Sequence, residues 1–214
     1  VTTTAEAPSG GFVRSWVVRV ALGEAAGFAV AAVTGVALAA TGAPPPVALP
    51  LAISAGAVEG LALGWGQYAA MRGGRPPRGP WLAATAVGAA FAWALGMLPS
   101  TLGVDLASPL AWAGLAVGAL VLLAAIPLAQ WLVLRFGAAR RDAIAWVPVS
   151  MGAWAVAVLW TAAPSPFIDE SSPVALVVAL YVVAGLLMAL TVAGLSAPLA
   201  RRLFSASEPS RSGR

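Results

Sequence analysis

Residues 52–72, AISAGAVEGLALGWGQYAAMR, decide the fold. At about 1.5 Å per residue this apolar run can cross a bilayer as a helix, yet it holds Glu59 in its middle, Gln67 near its end and Arg72 at its boundary. Residues 115–135 answer it. They close in AQWLVLR, so Gln130 precedes Arg135 by the same five positions that separate Gln67 from Arg72. An apolar span with a recurring amide and a terminal arginine implies a membrane chain with an internal repeat.

Composition agrees. Across 214 residues, 60% are hydrophobic and 9% charged, with a mean hydropathy of +0.90, which excludes an ordinary soluble domain. The net charge of +4 raises the possibility of nucleic acid, but the arginines stand in short clusters between apolar runs rather than along one face, so topology explains them and no nucleic-acid partner is expected. There is no Cys and no His, which removes thiolate chemistry and the commonest metal ligand; no metal site or cofactor is expected. All 12 basic residues are Arg, a bias that fits a GC-rich bacterial genome.

In chain order, residues 1–12 (VTTTAEAPSGGF) are expected to be a disordered cytoplasmic tail. Apolar runs then predict six helices, at about 16–40, up to Arg72, 81–98, 109–135, 144–163 and 174–203, followed by a polar tail at 205–214. A signal peptide is the rival reading of the first run; Glu24 interrupts it and the repeat includes it. The fold expected is all-α and integral to the membrane. Arg14, Arg72, Arg75, Arg78, Arg135, Arg140, Arg141, Arg201 and Arg202 all fall where odd helices begin and even ones end, while Asp105, Asp169 and Glu170 lie at the other side. By the positive-inside rule the chain is a multi-pass protein of a bacterial inner membrane with both termini cytoplasmic.

Trp16, Trp81 and Trp146 open the odd helices at equal spacing, 81 − 16 = 65 and 146 − 81 = 65. Seven residues after each come the small residues Gly23, Gly88 and Ala153. The even helices end in a matching way, with Gln67, Gln130 and Ser196 each five before an arginine, and with helix breakers Gly64 and Pro127 three before each Gln. Three hairpins in one orientation follow, at about 13–78, 79–141 and 142–204, arranged around a pseudo-three-fold axis. In outline this plan is similar to that of mitochondrial carriers, but the P-x-[DE]-x-x-[KR] signature expected at the ends of odd helices is absent, since the first ends in AATGAPPP and the third in GMLPST. No family is assigned.

Without a hydrophobic drive between helices in lipid, small residues must supply the packing. The first helix offers Gly23, Gly27, Ala31 and Gly35 and the second offers Ala52, Gly56, Gly60 and Gly64, each at four-residue spacing. Two such strips on consecutive helices predict a tight hairpin, strip against strip. Pro127 and Pro148 are expected to kink the fourth and fifth helices.

Charges within the spans are Arg19, Glu24 and Glu59. Each is expected to face protein or water, because a charge at the bilayer centre costs about 2.5–3.5 kcal/mol on insertion scales. If the strips pack, the two carboxyls flank one seam, where both cannot ionise cheaply and a shared proton, cation or Arg is needed. Arg19 lies about 140° around its helix from Glu24, so it is expected to meet another helix or reach the interface. The functional reading is a proton- or cation-linked site with Glu59 as carrier, Glu24 as partner, and Arg19, Gln67, Gln130 and Ser196 as a polar layer nearer the cytoplasm. The structural alternative is polar glue that holds helices together. The chain is therefore read as a small proton- or cation-linked transporter or channel of unknown substrate. The alternative is a non-catalytic accessory or scaffold subunit, partnered by the lipid bilayer, by other membrane subunits or by a second copy of itself. An enzyme is not expected.

Overall fold

The computed structural model describes residues 10–105, 107–136, 143–169 and 171–205. The expectations for the first nine residues, for 206–214, and for Arg140, Arg141 and Glu170 lie outside them. Six helical spans, all long and apolar enough to cross a membrane, follow one another. They are α1 (Gly10–Thr41), α2 (Pro45–Ala70), α3 (Arg78–Leu102), α4 (Pro109–Leu134), a fifth span holding α5 (Trp146–Ala157) and α6 (Leu159–Ala162), and α7 (Val174–Phe204). The described residues contain no strand.

Local chemistry sets the boundaries. Pro45 and Pro109 start α2 and α4 at positions where a missing N–H breaks no bond. Gly103, with φ of 61°, ends α3 in the left-handed conformation and returns its N–H to the carbonyl of Pro99. At the end of α7 the N–H groups of Arg72 and Gly73 donate to the Phe204 carbonyl at 2.9 and 2.8 Å, so the α2–α3 turn caps the last helix. Arg201 and Arg202 complement the negative end of its dipole. At the opposite end Asp169 accepts from the Ser171 hydroxyl and N–H and from the Ser172 hydroxyl, which together hold its carboxyl below the usual range.

Two boundary expectations change. Gly10–Phe12, read as tail, belong to α1, because Phe12 is buried and stacks on Trp16 at 6.1 Å. Pro148 falls in the first turn of α5, where proline is tolerated, and the fifth span is interrupted instead at Val158. Pro127 does lie inside α4, buried, with the helix continuing past it.

The helices pack as a closed ring, α1 on α2, α2 on α3, α3 on α4, α4 on α5, and α7 against both α5 and α1. The glycines decide how close each pair comes. A Cβ on Gly23 would lie 2.5 Å from the Ala62 carbonyl oxygen, and one on Gly27 would lie 2.6 Å from the Glu59 Cα, so the α1 strip seats on α2. The α2 strip turns the other way. At Gly60 a Cβ would lie 2.6 Å from the Ala89 Cβ and the Thr85 oxygen, Gly56 faces the Trp93 side chain, and Gly64 faces Thr85, all on α3. The two strips therefore do not meet each other. In a ring α2 has two neighbours, and a small-residue face can serve either one.

The main buried core gathers at the arginine-bearing end, where Trp16, Trp81, Trp146 and Phe204 are fully buried. Phe204 lies 5.7–6.1 Å from all three tryptophans by ring centroid. The other end holds fewer buried side chains, and Val33, Val36, Leu102 and Val174 there are more than half exposed.

Gly60→Val should lower thermal stability in detergent by about 1–3 kcal/mol, because its added carbons meet α3 backbone. Gly35→Val, at a position with nothing within 4 Å, should be close to neutral. Equal losses at both sites would contradict the assignment of packing faces.

Candidate functional site

Above the aromatic plug lies a cavity of about 430 Å³ lined by side chains from all six spans. Glu24 of α1 and Glu59 of α2 both face it. Trp93 Nε1 donates to Glu59 Oε2 at 2.8 Å. Glu24 is fully buried, and among the described residues no donor reaches its carboxyl oxygens; the polar group within hydrogen-bonding reach is the Glu59 carboxyl. The two carboxyls lie close enough to act on each other electrostatically. The expected pair thus meets inside the ring, although through a different packing of the glycine strips from the one expected.

The lining recurs in register. Eight residues after each of Trp16, Trp81 and Trp146 stand Glu24, Ala89 and Trp154, and twelve after stand Phe28, Trp93 and Val158; all six line the cavity. Eight residues before Gln67, Gln130 and Ser196 stand Glu59, Leu122 and Met188, which line it as well. Close approaches keep the same register. Gly23 seats on the carbonyl of Ala62 and Gly88 on that of Ala125, each carbonyl five residues before a Gln.

No known family, curated protein or solved structure matches this chain. The site is therefore read from its own geometry.

Between cavity and plug lies a buried polar layer. Gln130 Nε2 donates to Gln67 Oε1 at 2.7 Å and to Thr85 Oγ1 at 2.9 Å, while Gln130 Oε1 accepts from Trp146 Nε1 at 2.8 Å. Trp16 Nε1 donates to Ser196 Oγ at 3.0 Å. So Trp146 meets the polar residue of the preceding even helix, and Trp16 meets that of the last helix, closing the ring. At the third such position Gln67 is engaged by Gln130, and Trp81 Nε1 is left buried without a partner.

Arg19 is not part of this layer. It is exposed and its Nη1 donates to the Ala69 carbonyl, satisfying a carbonyl in the last turn of α2 and leaving both glutamates without a guanidinium. The reach of a long side chain to the helix end explains its place. Sequence reading missed Trp93, Thr85 and Tyr181. For the first two the signal was the register itself: Trp93 is the counterpart of Phe28, and Thr85 follows Trp81 as Val20 follows Trp16. Nothing in the sequence singles out Tyr181, which reaches the cavity from α7.

Chemically, the cavity offers two carboxyls, the Tyr181 and Thr161 hydroxyls, and otherwise mostly apolar and aromatic wall. Among the described residues no three His, Cys, Asp or Glu converge as a metal-binding set. Two carboxyls can exchange protons or hold a cation.

Gln130→Leu should lower stability by about 1–3 kcal/mol, since it strands the Trp146 N–H and the Gln67 carbonyl in a buried layer. Thermal unfolding in detergent, compared with the exposed substitution Leu132→Ala, checks this; equal melting temperatures for Gln130→Leu and wild type would refute it.

Proposed function

We propose that this polytopic membrane protein is a small proton- or cation-linked transporter built from three hairpins around a central cavity, with Glu59 and Glu24 as the exchanging carboxyls. One observation carries the reading: two neighbouring buried carboxyls face a single cavity lined by all six spans. A carboxyl at such depth costs insertion energy, and a transport pathway is the usual reason for retaining one. The register of the cavity wall supports the hairpin repeat, as transporters built from repeats place their sites on the repeat axis.

On this proposal the protein sits in a bacterial inner membrane with its arginine-bearing end in the cytoplasm, supported by the distribution of Arg against Asp105 and Asp169. The aromatic plug is then a closed cytoplasmic gate, and the looser acidic end is the open side. The role is transport rather than catalysis.

A second reading, an accessory or scaffold subunit of a membrane complex, draws support from the same plug, whose close packing also suits a rigid support. The two separate on one substitution. Glu59→Gln in proteoliposomes should abolish coupled proton or cation flux with the fold intact by circular dichroism and gel filtration. Unchanged flux contradicts the carrier role. A wild type without flux, in which the same substitution weakens co-purification of a membrane partner, favours the accessory reading.

A further inference from the structure

Resting on the transport reading, we infer that the cavity takes a hydrophobic organic cation, an ammonium or phosphonium with an aromatic or branched apolar body. It reaches the carboxyls from the bilayer, through the groove between α1 and α7.

Three observations converge on this ligand. Glu24 is buried in the cavity wall with the Glu59 carboxyl as its polar neighbour, and among the described residues no cation faces the pair, because Arg19 is turned to the Ala69 carbonyl at the end of α2. Two desolvated carboxyls side by side need a shared proton or a positive partner. The wall around them is aromatic, with Phe28, Trp93, Trp154 and Tyr181 all lining the space. Rings facing a carboxylate-bearing cavity form the kind of cage that attracts organic cations. The volume of about 430 Å³ lies within the range of small-molecule sites, roughly 300–1,000 Å³.

The third observation gives the route. A second cavity of about 660 Å³ lies between α1 and α7 and shares Phe28, Trp93 and Tyr181 with the first. Its remaining lining is Ala, Val, Gly and Leu, and Val33 and Val182 on its rim are more than half exposed where hydrocarbon would surround the helix. Phe28 stands between the two spaces, held at Gly185, where a Cβ would lie 2.5 Å from its ring. The apolar groove adjoins the acidic site, with Phe28, Trp93 and Tyr181 forming their common wall. An amphipathic cation matches both, with its body in the groove and its charge at the carboxyls.

Arrival of the cation displaces a proton from the carboxyl pair to solution, which conserves charge in the site. The titratable side chains facing the cavity are Glu24 from α1, Glu59 from α2 and Tyr181 from α7; α3, α4, α5 and α6 contribute none. Proton and cation therefore compete for the same two carboxyls.

Isothermal titration of the full chain in phosphatidylcholine nanodiscs tests the inference, with methyltriphenylphosphonium as probe and neutral triphenylphosphine oxide as its uncharged match. The phosphonium should bind saturably, at least about tenfold more tightly than the oxide, and more weakly as pH falls. Glu24→Gln with Glu59→Gln should abolish the difference between the two compounds. Equal binding of both by wild type, or no saturable binding, overturns the inference. That comparison needs no substitution, so a variant that fails to fold leaves the test standing. Proton flux without phosphonium binding sinks the ligand class and leaves transport intact, whereas binding without any flux keeps the site and sinks the transport reading.

Discussion

One buried amide, Gln130, joins four of the six spans, and the rest of the bundle depends on it. From α4 it donates to Gln67 of α2 and Thr85 of α3 and accepts from Trp146 of α5. In lipid, apolar faces gain little by leaving hydrocarbon for one another, so helix association rests on close packing and on polar groups that find partners. The amide provides the second of these at the level where the tryptophans provide the first. Trp16, Trp81 and Trp146 surround Phe204 and fill the arginine-bearing end. Beneath them the α2–α3 turn is bonded to the end of α7, which ties the first half of the chain to its last helix.

This concentration of packing at one end leaves space further along. Small residues bring α1 onto α2, α2 onto α3 and α3 onto α4. Between α1 and α7, by contrast, the ring is pinned where Phe28 meets Gly185, and a groove opens beside that contact. The carboxyls sit at the transition from the tight end to the open one. Plug, polar layer and acidic cavity are thus consecutive levels of one axis. In α2 and α4 the polar residues Gln67 and Gln130 lie about two turns from Glu59 and Leu122 on the cavity wall.

Much of this was legible in the residues. Six apolar runs separated by Pro, Gly and Arg clusters leave little choice of fold, and the equally spaced tryptophans marked a level of the bundle that turned out to be its core. Gln67, Gln130 and Ser196, linked in sequence only by their distance from an arginine, are all buried, and Gln130 and Ser196 accept from Trp146 and Trp16. Other features were not legible. Four-residue glycine spacing says that something comes close but not what, so the α2 strip was assigned to α1 when it receives α3. Arg19 does meet another helix, as its angle from Glu24 implied, but at the Ala69 carbonyl and not in the polar layer, a reach that helix angles do not give. Pro148 looked like a kink only until the start of α5 was known. Trp93 became part of the site because α3 is adjacent to α2, a fact of the ring and not of any local pattern.

On the transport reading, the carboxyl-bearing cavity is closed at the arginine-bearing end and open at the other. Because the chain has no cysteine, single-cysteine accessibility tests it without background. Thr161→Cys and Leu122→Cys, both on the cavity wall, would be treated with a small membrane-impermeant thiol reagent from each side of oriented vesicles. Both should be labelled from the side bearing Asp105 and Asp169 and protected from the arginine-bearing side. Labelling of either from the arginine-bearing side alone, or of neither from any side, would contradict that reading.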